Sequence, residues 1–107
     1  MNSERLTSKF WISAYIKRLE SQGIPVFVVK KGDEVAGAIL IVISNLKGFS
    51  KIFTQSFDAE GNRIWLELTS GSDIEIVETI KKQKDIDPDI WILEVENPKG
   101  KNVINER

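Results

Sequence analysis

The chain has 107 residues, 41% of them hydrophobic and 29% charged, the length and balance of one globular domain with its own core. It contains neither histidine nor cysteine. That excludes a disulfide framework, a thiolate zinc site, a Ser-His-Asp triad and any histidine-ligated metal, and it removes the usual general base. The formal net charge of −1 gives no bulk attraction to nucleic acid or to an anionic membrane, so neither is expected as a partner.

The opening residues Met1 to Arg5 carry no apolar run, which argues against a signal peptide or an anchor. A helix is expected to start at about Thr7 or Ser8, either of which can accept from the free N–H groups of a first turn. Trp11, Ile12, Tyr15, Ile16 and Leu19 recur at helical spacing and form its apolar face, with Lys9, Lys17 and Glu20 off it. Gly23 suits a left-handed helix end, and Pro25 prevents continuation. The period then changes. Residues 26–31 and 37–43 are β-branched runs, apolar on both alternating faces, as expected of strands covered on both sides. Lys31 to Ala36 joins them, most simply as a hairpin loop. The longest apolar stretch, Ala36 to Ile43, is too short to span a bilayer, and the cytoplasm is the expected location.

Asn45-Leu46-Lys47-Gly48 reads as a turn into a third strand, Ser50 to Phe57, with Phe53 and Phe57 on one face. Asp58 to Asn62 turns again into a fourth strand, Arg63 to Thr69. There Ile64, Leu66 and Leu68 share one face, and Arg63, Trp65 and Glu67 share the other. Ser72-Asp73-Ile74-Glu75 is a capping box opening a second helix with the stripe Ile74, Val77 and Ile80. Lys81, Lys82 and Lys84 complement the negative end of that helix, and Asp85 to Asp89 breaks it. Ile90 to Glu96 is a fifth strand. The fold class is therefore α+β: a single domain, order α-β-β-β-β-α-β, with a mixed, mainly antiparallel five-stranded sheet packed with two helices. Its ordered core is expected over about residues 6–96, with an edge strand or frayed tail over 97–107.

Arg5-Leu6, Trp11, Gly23, Lys31-Gly32-Asp33, Ala36-Gly37-Ala38, Arg63-x-Trp65 and Asp87-Pro88-Asp89-x-Trp91 with Glu94 stand in an order that resembles one family. It is domain of unknown function 1491, small proteins found mainly in alphaproteobacteria. The resemblance spans about Arg5 to Val95 and implies a stand-alone domain. It carries no activity with it.

Among candidate sites, Asp85, Asp87, Asp89 and Glu96 match the carboxylate positions of a calcium-binding EF-hand loop. Ile90 replaces the glycine that loop requires, Pro88 lies inside it, and a strand follows where a helix should, so a helix-to-strand connection is the better account. Lys31 and Asp33 sit at a loop tip where hairpin chemistry or a binding role would each use them. A nuclease-like magnesium site beginning at Asp33 lacks its Glu and Lys on the next strand. Trp11, Trp65 and Trp91 are expected as core anchors. Trp65 shares its face with charges, so it either packs under the first helix with Arg18 nearby or belongs to an interface.

The leading expectation is a non-catalytic binding or regulatory module, with a protein partner or self-association as a homodimer. Its surface would be formed by Arg18, Arg63, Trp65 and the turn Asp87-Pro88-Asp89, with Lys31 and Asp33 as further candidates. No cofactor, metal or catalytic residue is assigned. The rival is an enzyme or small-ligand binder whose Asp33, Arg63, Asp87 and Asp89 converge in one cleft. A degenerate nuclease-like scaffold is a weaker third reading.

Overall fold

The computed structural model describes residues 6–104; the opening segment Met1–Arg5, with Arg5 of the resemblance, and the last three positions of the expected tail lie outside the described residues. The elements follow the expected order: α1 (Ser8–Glu20), β1 (Val26–Lys30), β2 (Ile39–Ser44), β3 (Phe49–Phe57), β4 (Arg63–Ser72), α2 (Asp73–Ile86) and β5 (Trp91–Glu96). Thr7 caps α1, its hydroxyl accepting from the Phe10 N–H at 3.2 Å. Trp11, Ile12, Tyr15 and Leu19 are buried as the helical spacing requires. Gly23 takes the left-handed φ of +80° expected of it past the helix end.

The five strands form one mixed sheet in the order β1-β5-β2-β3-β4. β2 runs parallel to β5; the other three pairings are antiparallel. The two central strands are apolar on both faces because each face carries a helix. Ile39, Ile41, Leu93 and Val95 face α1 with Trp11 and Tyr15, whereas Leu40, Val42, Ile52 and Ile92 face α2 with Ile76 and Ile80. Each such Ile or Leu, fully buried, contributes about 1.5–3 kcal/mol relative to exposure.

Three local expectations are corrected. First, β1 and β2 are not a hairpin, because β5 lies between them and pairs with both. The 31–38 segment is a crossover that passes over the start of β5. Second, β1 is an edge strand, and Phe27, Val28 and Val29 are exposed, so its apolar run does not signal cover on both sides. Third, the buried stripe of α2 is Ile76 and Ile80, while Ile74 and Val77 face solvent. The capping box forms as expected, Glu75 Oε1 accepting from the Ser72 N–H at 3.0 Å, but the helix is rotated to lay Ile76 on Leu40, Val42 and Ile52.

On β4, Trp65 takes the packed place under the first helix that its core-anchor reading expects. Leu66 and Leu68 are 51% and 42% exposed, whereas Trp65 packs against the α1 side of the core. A bulge interrupts this strand, since Ile52 pairs with Thr69 but Phe53 with Glu67, leaving Leu68 unpaired. After β5 the chain forms no strand over residues 97–104. It returns beneath α1, where the Tyr15 hydroxyl donates to the Val103 carbonyl at 2.8 Å and Val103 is buried.

Candidate functional site

The segments that carry the family resemblance meet in space. Where the crossover passes β5, the Asp33 N–H donates to the Asp89 carbonyl at 2.9 Å, and the Trp91 indole N–H donates to the Asp33 carbonyl at 2.7 Å. Gly32 and Gly37 are required by closeness of approach. A Cβ on Gly32 would lie 2.2 Å from the Asp89 carbonyl oxygen, and one on Gly37 would lie 2.7 Å from it. The Lys30 ammonium adds bonds to the carbonyls of Pro88 at 2.6 Å and Ile90 at 3.1 Å. On the other side, the first N–H groups of α1 are satisfied by the same loop: Ser8 donates to the Val35 carbonyl and Lys9 to that of Glu34. This is a knot of backbone hydrogen bonds closing the top of the sheet.

Two of the candidate side chains, Asp33 and Asp87, are hydrogen-bonded within these turns. The Asp33 carboxylate accepts from the N–H groups of Val35 at 3.2 Å and Ala36 at 2.8 Å, capping its own turn. Asp87 ends α2 and accepts from the Asp89 N–H at 3.1 Å. Lys31 is exposed on the crossover, and its carbonyl accepts from Lys30. Asp89 and Glu96 stand at opposite ends of β5, too far apart to close on one cation, which removes the EF-hand geometry. Among the described residues no group of three or more acidic side chains is arranged to hold a metal ion.

The β3–β4 side of the sheet offers more. The Trp65 ring lies 5.3 Å from that of Trp11, which stacks on Tyr15 at 4.8 Å. Arg63 sits between rings, its guanidinium 5.5 Å from Trp11 and 5.6 Å from Phe57. Trp65 thus packs on the first helix, and the cation on that stack is Arg63; Arg18 lies over Tyr15 at 5.4 Å. Two concavities flank the stack. One, of about 470 Å³, brings Arg63 and Asp87 to the same walls with Gln55, whose buried amide nitrogen has no hydrogen-bond partner among the described residues. Asp33 and Asp89 do not line it.

The other is a groove of about 480 Å³ floored by Ile43, Phe53 and Trp65 and walled by the C-terminal segment through Val103 and Ile104. Its far wall is braced. The Asn97 side chain donates to the Lys101 carbonyl at 2.8 Å and accepts from the Lys101 N–H at 3.1 Å, which fixes the 97–101 turn. Lys51 and Lys101 stand in the lining, which contains no carboxylate among the described residues. Of these residues only Trp65 was singled out by the sequence. Lys101 and Val103 belong to a segment that reads as a tail, and the Asn97-Pro98-Lys99-Gly100 turn was the available signal that the chain folds back.

Among the described residues no helix is long and apolar enough to cross a membrane. A family model described as a protein of unknown function, DUF1491, matches residues 6–105. The crystal structure of a DUF1491 family protein from Caulobacter crescentus CB15 is similar at TM-score 0.84 and 30% identity, covering 95% of this chain and 97% of that one. An NMR structure of a DUF1491 family protein from the same organism gives 0.80 and 28%, covering 97% and 96%. The solution structure of protein Atu0922 from A. tumefaciens shares the fold at TM-score 0.80 and 24% identity, covering 94% and 93%. No curated protein matches.

Proposed function

The chain belongs to the DUF1491 family, and we propose that it works as a non-catalytic binding module whose binding place is the groove over Trp65. The observation that carries this reading is the groove itself, an apolar and aromatic floor with a braced wall, of the size that small-ligand sites have. Among the described residues its polar lining is lysine and amide, without the acid–base pairs that catalysis needs. Arg63 and Arg18 act in this reading as braces of the aromatic stack, and the turn Asp87-Pro88-Asp89 as part of the knot that holds the crossover.

The experiment is native mass spectrometry of the chain after incubation with a cell extract. Wild type is expected to carry an added mass that is lost in Lys51→Trp, which places a large ring over the groove from an exposed strand position. A mass retained by that variant, or none on wild type, would count against the reading.

A second reading, self-association, is favoured by a different observation. β1 is an edge strand whose Phe27, Val28 and Val29 are exposed. The Glu96 N–H donates to the Pro25 carbonyl, so the antiparallel alternation turns the amides of Val26 and Val28 away from β5. A second copy of β1 is the self-complementary partner for that row.

A further inference from the structure

We propose that the groove over Trp65 takes a small amphipathic carboxylate, a molecule with an acyl or aromatic body and one carboxylate group. The assignment rests on the groove being the binding place and adds the chemistry of its occupant. The floor decides the body. Ile43, Phe53 and Trp65 offer apolar and aromatic surface beside Val103 and Ile104, and none of these presents an acceptor to a ligand.

The rim decides the charge. The side-chain oxygen of Asn45 accepts from the N–H groups of Lys47 at 2.7 Å and Phe49 at 3.2 Å, which leaves its amide N–H₂ as the group to offer. Both polar ends of the Asn97 side chain are used by the 97–101 turn. Asn102 accepts from the Ile104 N–H at 3.2 Å, and the charged groups of the lining are the Lys51 and Lys101 ammonium groups, both exposed and neither ion-paired among the described residues. Glu67, the acidic residue paired with Phe53 on this face, is exposed at the β4 edge and outside the lining. The groove therefore presents donors and positive charge above an apolar floor. A carboxylate at the mouth with its body on Trp65 satisfies both, whereas an amphipathic cation would place its charge against two lysines.

Calorimetric titration with decanoate and decylammonium below their micelle-forming concentrations, and with decanol below its solubility limit, tests this on wild type, Lys51→Gln, Lys101→Gln and Lys51→Trp. Decanoate is expected to bind one-to-one and more tightly than the other two. Each glutamine variant should weaken it about two- to fivefold, the range an exposed ion pair supports, with decanol unaffected. Both lysines are exposed, so these variants remove no core contact. Decylammonium binding as tightly as decanoate, with Lys51→Trp abolishing both, would overturn the carboxylate assignment and leave the groove as a binding place. Binding of no probe, or binding that survives Lys51→Trp, would overturn the assignment and the groove together.

Discussion

Replacing Gly32 by alanine tests the knot that holds the crossover. The new Cβ would lie 2.2 Å from the Asp89 carbonyl oxygen and 2.6 Å from the Ile90 carbonyl carbon. Both are backbone atoms at the start of β5, which is fixed between β1 and β2 and cannot recede. The crossover must lift instead, stretching the Asp33-to-Asp89 bond of 2.9 Å and the Trp91-to-Asp33 bond of 2.7 Å. Overpacking of this kind costs about 1–3 kcal/mol, and weakening one such hydrogen bond adds about 1 kcal/mol. The sum, about 2–4 kcal/mol, corresponds to a fall in Tm of roughly 10–25 °C for a domain of this size. Gly23→Ala is the control. Its Cβ meets nothing within 4 Å, and only the left-handed φ of +80° opposes it, a cost of about 1–2 kcal/mol. Urea unfolding of the two variants beside wild type decides the matter. If Gly32→Ala costs no more than Gly23→Ala, the close approach is not what fixes the loop, and the reasoning is wrong.

Three further outcomes follow from the packing. Ile76→Ala should cost about 2–5 kcal/mol in chemical unfolding, because Ile76 is 4% exposed. Ile74→Ala should change stability by less than about 0.5 kcal/mol, because that side chain is 75% exposed; equal effects would contradict the observed phase of α2. The Asp58 carboxyl is held below its ordinary range, chiefly by the backbone N–H of Asn62 at 2.8 Å and further by that of Glu60. A depressed carboxyl stabilises the fold above its unfolded pKa and loses that contribution as pH falls through the folded value. The stability gap between wild type and Asp58→Ala should therefore be full at neutral pH and shrink in acid; a constant gap would refute the cause. At the β1 edge, Val28→Lys should leave unfolding nearly unchanged and lower the sedimentation-measured association of the chain, if self-pairing uses that strand. Association that persists in Val28→Lys would remove β1 as the interface.

Local signals in the sequence were strong where physics is local. The Thr7 cap, the Gly23 helix end and the Ser72–Glu75 capping box depend on residues within one or two turns, and all formed. What could not be read there depended on distant partners. β5 inserts between β1 and β2 although it follows them late in the chain, so Gly32 reads as a turn residue and Gly37 as the start of a strand when both are points of close contact. Ile74, Ile76, Val77 and Ile80 supply two overlapping helical stripes, and only the sheet beneath selects one. On β4 the residues left Trp65 two places, under the first helix or at an interface, and its contact with Trp11, with Arg63 over that ring, selects the first. The same distance effect hid the groove. Trp65 was visible as an unusual aromatic, but its wall comes from Lys101 to Ile104, which fold back through the Asn97 turn and the buried Val103, whose carbonyl Tyr15 holds.

The division of labour proposed here, binding at Trp65 and support at Trp91, can be read in one spectrum. The three tryptophans give three indole N–H signals, assigned by single Trp→Phe variants in a ¹H–¹⁵N spectrum. Trp65 lines the groove, whereas the Trp91 indole is bonded to Asp33 in the knot. On titration with decanoate, the Trp65 signal is expected to move to saturation while the Trp91 signal stays in place. Movement of the Trp91 signal with Trp65 unchanged would contradict it, and so would a spectrum in which neither moves.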